Sequence, residues 1–326
     1  MKSYFRQKVV KQIIFVIVLN IMFSGPLFSE NDHLFKSTET SNDSLMIRVD
    51  SAALHVLRKT GTPSASVAVV KKGEIVYLQA YGNAKLNPDV AAKTDMRYAI
   101  GSISKQFTAA SILILEQESK LSLDDPVSKW MPDLTRADEV TIRELLSHTS
   151  GYQDFWPQDY VPPMMLKSMS PREILNRWAK IPLDFKPGTK WQYSNTNFVI
   201  AAQIVEKITD KPFFVFLKDN ILKPLGLSSA INFDKGKLTG EDPTGYMRYG
   251  LGPLRSAPEE GEGWMAGAGE LAMTPEDLAK WDISMIKQNL LSPESYRQLE
   301  TEVLLKNGVG TRYGLGVQVK MMTIIV

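Results

Sequence analysis

A serine and a lysine stand three residues apart in the segment Ser102-Ile103-Ser104-Lys105. On a helix, residues at positions i and i+3 share a face, so these two side chains can touch. A serine hydroxyl becomes a useful nucleophile when a neighbouring base takes its proton, and a buried lysine can be that base because desolvation lowers its pKa. The alternative is a helix-capping serine beside an unrelated lysine, since S-x-x-K is a short pattern that arises by chance.

A second polar group, Tyr193-Ser194-Asn195, lies on a polar loop farther along the chain. A tyrosine hydroxyl can carry a proton between a nucleophile and a leaving group, and an asparagine can hydrogen-bond the carbonyl of an amide or ester. Serine and asparagine also favour turns, so Y-x-N alone is weak support. Behind an S-x-x-K that opens a buried helix, as S-x-x-K enzymes carry it, the Y-x-N pattern is much stronger support.

The elements that must position these residues follow from apolar spacing and turn signals. Leu45–Lys59 has helical spacing, and the runs Ser64–Val70 and Ile75–Tyr81 around a Lys-Gly turn predict a β-hairpin. The stretch 102–118 has no Gly or Pro and a dense apolar middle, which predicts a buried helix with Ser102 at its N-cap. Further helices are expected to begin at Ser or Thr caps, namely Thr141, Ser170, Thr274 and Ser292.

This order of strands, many helices and a last strand at Tyr313–Val319 predicts an α/β sheet domain interrupted by an all-α domain. The predicted segments are a signal peptide at 1–29 and a linker at 30–44. The first part of the sheet domain, with the nucleophile helix, follows at 45–121. A mainly α-helical domain is predicted at 122–302 and the truncated returning strand at 303–326. The signal peptide is predicted from four basic residues ahead of the short apolar run Ile13–Phe23, with cleavage near Ser29 favoured over a retained anchor. It implies a secreted or periplasmic protein.

Composition narrows the chemistry. The chain has 326 residues, 44% of them hydrophobic and 23% charged, which is ordinary for a globular protein. A net charge of +2 does not point to nucleic acid. The absence of cysteine excludes disulfides and a cysteine nucleophile, and three unpaired histidines make a histidine-based metal site improbable.

Several stretches resemble the class C β-lactamase and penicillin-binding-protein superfamily, especially its esterase-like and D-Ala carboxypeptidase-like members. The stretches that carry the resemblance are 61–70, 98–108, 121–127, 142–151, Pro187-Gly188 leading to Tyr193-Ser194-Asn195, Pro224-Leu225-Gly226-Leu227, and Tyr313-Gly314-Leu315-Gly316. The resemblance implies an antiparallel sheet domain flanked by helices, with an inserted all-α domain. It further implies that Ser102 forms an acyl-enzyme, that Lys105 and Tyr193 manage the protons, and that Asn195 orients the substrate. No cofactor or metal is implied.

The sequence departs from the family after Val319. In the family, a third motif follows on a strand that supplies half of the oxyanion hole. It consists of Lys or His, then Thr or Ser, then Gly. Residues 320–326 of this sequence do not contain that motif. Lys59-Thr60-Gly61, His148-Thr149-Ser150-Gly151 and Leu238-Thr239-Gly240 are not convincing replacements. We therefore expect a C-terminally truncated member that lacks central strands, and losing one oxyanion donor typically costs about a hundred- to a thousandfold in rate.

Three functions are compatible with these observations. The leading one is a serine hydrolase that acts on an ester, an amide or a D-amino-acid peptide, with a small-molecule or peptidoglycan-like substrate; β-lactamase activity is possible within it and not favoured. The second is a catalytically impaired remnant or a module that binds such ligands without turnover. The third is a Ser-His enzyme that uses His148, which no G-x-S-x-G elbow supports.

Overall fold

The structure is a computed structural model that describes residues 15–18, 42–156, 163–248 and 252–319. The strands are β1 (Phe15–Val18), β2 (Ser64–Lys71), β3 (Glu74–Leu86), β4 (Asp89–Ala91), β5 (Tyr98–Ala99), β6 (Ile231–Asn232), β7 (Tyr246–Met247), β8 (Arg255–Ser256) and β9 (Leu271–Met273). The α-helices are α1 (Asn42–Thr60), α2 (Ser104–Gln117), α3 (Ile142–Leu146), α4 (Pro171–Trp178), α5 (Thr196–Thr209), α6 (Phe213–Leu217), α7 (Pro275–Lys287) and α8 (Pro293–Glu300).

The main sheet is antiparallel and has the order β1-β2-β3-β4. Its centre is the predicted hairpin of β2 and β3, whose turn residues Lys72 and Gly73 both have positive φ, 55° and 79°. Two-residue hairpin turns need this conformation to match the twist of the strands. Side chains of β2 alternate between two apolar clusters, one with α1 and one with α7, so helices cover both faces of the sheet.

The largest core surrounds α2, which packs against α5, α6 and α8. Phe107 of α2 is fully buried and stacks on Trp281 of α7 with 4.2 Å between ring centroids. A small second sheet, β5-β9-β6, pairs Tyr98 with Met273 and thereby joins the segment before α2 to the segment before α7. The stretch that carries Ser102 and Lys105 is therefore fixed by the core around α2 and by the pairing of β5 with β9.

The predicted helix starts are confirmed. Thr141 and Ser170 form capping boxes with Glu144 and Glu173, in which each side chain satisfies a backbone N–H that the helix leaves unpaired. Thr274 and Ser292 cap α7 and α8 by accepting from the backbone N–H groups of Asp277 and Ser295, without the reciprocal bond, and each helix has proline in its first turn. These local signals explain why the middle of the chain folds as short, well-delimited helices.

Two local predictions are wrong. Ser102 is not the N-cap of α2: it is the middle residue of a 3₁₀ turn, Gly101–Ile103, and α2 begins two residues later. The segment 313–319 does not form the returning strand predicted within 303–326, although Tyr313 and Gln318 make an isolated bridge. Gly316 turns the chain there with a φ of +72°, which a strand cannot accommodate.

The amino-terminal predictions lie largely outside the described residues. Of the predicted signal peptide, the structure describes β1, which pairs antiparallel with β2 from Phe15–Val69 to Val18–Ser66. α1 begins at Asn42, inside the predicted linker 30–44. Residues 320–326, on which the predicted truncation depends, also lie outside the described residues. Within the described ranges, no helix combines the length and apolar character needed to cross a bilayer.

Candidate active site

Ser102 sits exposed above the buried start of α2. Gly101 has a φ of +51°, which glycine adopts without strain, and it turns the chain from β5 into the 3₁₀ turn that presents Ser102. Three residues later, the side chain of Lys105 is fully buried. The Lys105 Nζ lies 3.0 Å from Ser102 Oγ, so the expected contact between the two side chains is formed.

Lys105 is surrounded by acceptors and aromatic rings. Its Nζ donates to Asn195 Oδ1 and to the carbonyl oxygen of Ala268, each at 2.7 Å. The rings of Tyr193 and Phe198 lie with their centroids 5.0 and 5.5 Å from Nζ. Burial lowers the pKa of Lys105 to about 7, and the charge of Asp154 opposes this fall. A large part of the lysine is therefore neutral near neutral pH.

Tyr193 approaches Ser102 from the loop before α5. Its hydroxyl donates to Ser102 Oγ at 2.8 Å. Burial raises the pKa of Tyr193 to about 12, against a lowering by the Ser102 hydrogen bond, so the side chain is a neutral phenol at neutral pH. Its ring lies against the imidazole of His148 with 4.2 Å between centroids.

Asn195 is the residue at the N-terminus of α5, and both ends of its side-chain amide are engaged. Oδ1 accepts from Lys105, whereas Nδ2 donates to Asp154 Oδ1 and Oδ2 at 3.1 and 3.2 Å. Its backbone N–H also donates to Asp154 Oδ1, at 2.9 Å. The four residues predicted from sequence, Ser102, Lys105, Tyr193 and Asn195, are thus brought into one hydrogen-bonded group.

Sequence reasoning missed two parts of this group. Asp154 lies on a loop without periodic signal, and only its place three residues after Gly151 hints at a role. Ala268 takes part through its backbone carbonyl, which no side-chain pattern can reveal. The loop that carries it docks on α2: Gly267 O accepts from Thr108 Oγ1 at 2.7 Å, and Leu271 N donates to Ser104 Oγ at 3.2 Å.

His148 packs against Tyr193 beside the site. Its Nδ1 accepts from Ser194 N at 3.1 Å, and its Nε2 has no hydrogen-bond partner among the described residues. Burial, together with the charge of Lys105, lowers the pKa of His148 well below its ordinary value, so the ring is neutral. No hydrogen bond within the described part of the chain joins His148 to Ser102, which leaves the Ser-His interpretation without support.

The sequences that imitate a third motif make local contacts. Thr60 Oγ1 donates to Val56 O at the end of α1, and Thr239 donates through N and Oγ1 to Asp242 Oδ2 at 2.9 and 3.0 Å. Each threonine therefore stabilises its own local segment through these hydrogen bonds. Among the described residues, no group of three or more His, Asp or Glu side chains could hold a metal ion.

The fold and this site define a known class. The family model for beta-lactamases matches residues 49–324, most of the chain, so the chain belongs to the beta-lactamase family. This confirms the resemblance inferred from the motifs.

Individual relatives agree with this assignment. Protein flp of Staphylococcus aureus (strain N315) is 30% identical over 268 residues, which are 80% of this chain and 52% of that protein. Penicillin-binding protein 4* of Bacillus subtilis (strain 168) is 28% identical over 267 residues, 78% of this chain and 59% of that protein. The chain thus spans about half the length of the curated relatives it matches.

The fold is also similar to solved structures. The D-amino acid amidase from Ochrobactrum anthropi SV3 complexed with D-phenylalanine superposes with a TM-score of 0.71 at 26% identity, covering 82% of this chain and 78% of that chain. The predicted fold class, an antiparallel sheet flanked by helices of the β-lactamase/transpeptidase type, is confirmed by this likeness.

Proposed function

We propose that this chain is a serine hydrolase that works through an acyl-enzyme on Ser102, with Lys105 as general base and Tyr193 as proton carrier. The observation that carries the proposal is the position of Ser102 Oγ, 3.0 Å from the Nζ of a fully buried lysine and 2.8 Å from the Tyr193 hydroxyl. An exposed hydroxyl between a base and a neutral phenol has the arrangement that covalent catalysis requires.

The neighbours of Lys105 orient its lone pair. Asn195 Oδ1 and Ala268 O can only accept, so each engages one N–H of the amine. A neutral lysine has two N–H groups and one lone pair, and the remaining tetrahedral position faces Ser102 Oγ. With a pKa of about 7, roughly half of the lysine is in this neutral form at pH 7.

Acylation then follows from the contacts. Ser102 Oγ attacks the substrate carbonyl carbon while its proton moves to Lys105 Nζ. The Tyr193 hydroxyl, neutral because its pKa is raised, gives a proton to the leaving nitrogen or oxygen. Tyr193 then recovers a proton from Lys105, which had taken it from Ser102. Hydrolysis of the ester on Ser102 reverses these transfers with water as the nucleophile. We assign one half of the oxyanion hole to the backbone N–H of Ser102.

The proposed substrate is an ester, an amide or a D-amino-acid peptide, including a peptidoglycan-like one. Two similarities support this class: one relative is named a penicillin-binding protein and one similar structure is a D-amino acid amidase with D-phenylalanine bound. We also propose that the chain acts outside the cytoplasm, on the basis of the predicted signal peptide. Its cleavage near Ser29 would remove β1 from the edge of the main sheet and leave the hairpin of β2 and β3. The mass of the N-terminal peptide of protein recovered from the periplasm or medium tests that proposal.

Active-site labelling tests the proposed function. The folded wild type is expected to react with a fluorescent penicillin or a fluorophosphonate, Ser102→Ala is expected to lose the label, and the exposed-serine control Ser51→Ala is expected to keep it. Labelling that persists in Ser102→Ala refutes the assignment of the nucleophile. A folded wild type that takes up no label favours the non-catalytic alternative.

A further inference from the structure

The Asn195 amide lies between a lysine and a carboxylate. On one side its Oδ1 accepts from Lys105 Nζ at 2.7 Å. On the other side its Nδ2 donates to both oxygens of Asp154, which is half-buried on the loop after α3. Asp154 Oδ1 also accepts from the backbone N–H of Asn195 and, at 3.2 Å, from that of Trp156. Each of these contacts brings a donor to the carboxyl group, which fits its ionised form.

We propose that Asp154 is a positioning residue for the lysine base: its carboxylate fixes the orientation of the Asn195 amide, and its charge sets the proton affinity of Lys105. The proposal rests on the proposed function, in which neutral Lys105 deprotonates Ser102. Asp154 itself acts through Asn195 and Lys105 and touches neither the nucleophile nor, in our account, the substrate.

The orientation argument depends on which groups can donate. An ionised carboxylate only accepts hydrogen bonds, and a lysine facing a carbonyl only donates. The observed orientation of the amide therefore satisfies both neighbours at once. The reversed amide of Asn195 would place oxygen against the oxygens of Asp154 and an N–H group against Lys105. Without the charge at Asp154 this penalty weakens, and the amide loses its preference for the orientation that directs the lone pair of Lys105.

The charge argument depends on what else surrounds Lys105. The titratable groups that face it or pack around it from neighbouring elements are Asp154, His148, Tyr193, Tyr313 and Glu270. The raised pKa values of the two tyrosines and the lowered pKa of His148 make all three neutral near pH 7.

Glu270 belongs to the loop of Ala268, and its carboxyl group accepts from Gly267 N at 3.1 Å and Asn232 Nδ2 at 2.6 Å, away from Lys105. Burial raises its pKa to about 8, so it too is largely protonated at pH 7. Burial raises the pKa of Asp154, whereas the hydrogen bonds from Asn195 and Trp156 and the charge of Lys105 act to lower it. The donors around its carboxyl group fit the ionised form, so within the described part of the site Asp154 is the anion that favours the charged lysine. It raises the pKa of Lys105 against the effect of burial.

The consequence is a directional change in the pH profile of acylation. The rate falls as the pH drops through the pKa of Lys105, because the ammonium form cannot take the proton of Ser102. Asp154→Asn removes the charge and keeps an acceptor for the Asn195 amide. The midpoint of the acidic limb is therefore expected to move to lower pH by about one unit, the low end of the effect of a nearby opposite charge. The plateau rate is expected to fall about tenfold or more because the Asn195 amide is no longer uniquely oriented.

The test measures second-order labelling rates with a fluorescent penicillin or fluorophosphonate from pH 5 to 9. Wild type, Asp154→Asn and the exposed-aspartate control Asp95→Asn are compared, and thermal unfolding shows that each is folded. Asp154→Ser removes the same charge and replaces Asp154→Asn if that variant does not fold. The charge-retaining Asp154→Glu is expected to keep the wild-type midpoint even where its plateau rate is lower.

The outcomes separate the two proposals. A midpoint that moves to lower pH in Asp154→Asn and stays in place in Asp154→Glu and Asp95→Asn supports the inference. A midpoint that is the same in Asp154→Asn and wild type overturns the inference and leaves the proposed function intact, as does a midpoint that moves equally in Asp154→Glu. A wild type that is not acylated at any pH removes the proposed function and the inference together.

Discussion

Replacing Lys105 with methionine tests whether this lysine is as strongly perturbed as its burial implies. The side chain of Lys105 is completely buried, and its pKa falls from an ordinary 10.5 to about 7. Such a fall is worth ~5 kcal/mol of preference for the neutral amine. Lys105→Met keeps a similar apolar length, removes the proton-binding group and is expected to abolish acylation of Ser102.

The informative quantity is the dependence of stability on pH. Because the pKa of Lys105 is lower in the folded than in the unfolded chain, the unfolded chain binds more protons between about pH 7 and pH 10.5, and stability rises with pH across that window. From pH 7.5 to pH 9.5 the wild type is expected to gain ~2–3 kcal/mol in free energy of unfolding relative to Lys105→Met. Titrating groups that do not interact with Lys105 contribute equally to both proteins and cancel in this difference. The charge of Lys105 does act on the pKa values of His148 and Asp154, but the ordinary pKa values of these two groups lie below this pH window.

The absolute effect at one pH is smaller and less informative. At pH 7.5 the lysine costs the folded state ~4 kcal/mol, and methionine removes that cost. Methionine also leaves Asn195 Oδ1 and Ala268 O without the donor they have in wild type, which costs ~1–3 kcal/mol for each acceptor. The two effects nearly cancel, so an inactive variant of nearly wild-type stability is expected at neutral pH.

Urea unfolding of both proteins at pH 7.5 and pH 9.5 measures the difference directly. Lys120→Met, which removes an exposed lysine, controls for the loss of a positive charge as such. A stability difference between wild type and Lys105→Met that stays constant between the two pH values would refute the reasoning, because it would mean that Lys105 is protonated equally in the folded and unfolded chains.

Two further substitutions test the proton carrier and the packing around the base. Tyr193→Phe removes the hydroxyl that lies 2.8 Å from Ser102 Oγ and is expected to lower turnover of an ester substrate about a hundredfold or more, measured by steady-state hydrolysis; a rate within threefold of wild type would contradict its role. Gly316→Ala puts a Cβ 2.6 Å from the carbonyl oxygen of Lys105 at a φ of +72°, and thermal unfolding is expected to show a loss of ~2 kcal/mol or more together with slower acylation. Gly308→Ala is the control, because at a φ of +81° with open space around it the added Cβ brings only backbone strain of ~1 kcal/mol. Equal losses of stability in the two variants would mean that the contact with the backbone carbonyl of Lys105 adds nothing to the effect of Gly316→Ala.

The parts of the fold that sequence predicts are those with local causes. The hairpin of β2 and β3 follows from two apolar runs around Lys72-Gly73, and the starts of α3 and α4 follow from capping boxes at Thr141 and Ser170. The contact of Ser102 with Lys105 follows from helical spacing, even though the serine stands in a 3₁₀ turn rather than at an N-cap. Each of these features depends on residues that are close together in the sequence.

The remaining features depend on contacts that are distant in sequence. The segment 313–319 alternates like a strand, yet its glycines let it turn and pack against Lys105 and Ala109 of α2. Gly316 N also donates to Leu146 O, at the end of α3, at 2.9 Å. Asp154 gains its partner only when the loop after α3 meets the start of α5. The carbonyl of Ala268 joins the site through the backbone. None of these contacts leaves a periodic or compositional signal.

Peptide-mapped mass spectrometry of the trapped acyl-enzyme tests the central claim most directly. After brief exposure to penicillin and acid quenching, we expect one adduct with the mass of the whole ring-opened antibiotic, on the proteolytic peptide that contains Ser102, and no adduct in Ser102→Ala. An adduct on another residue, or an equal adduct in Ser102→Ala, would contradict the assignment of Ser102 as the nucleophile.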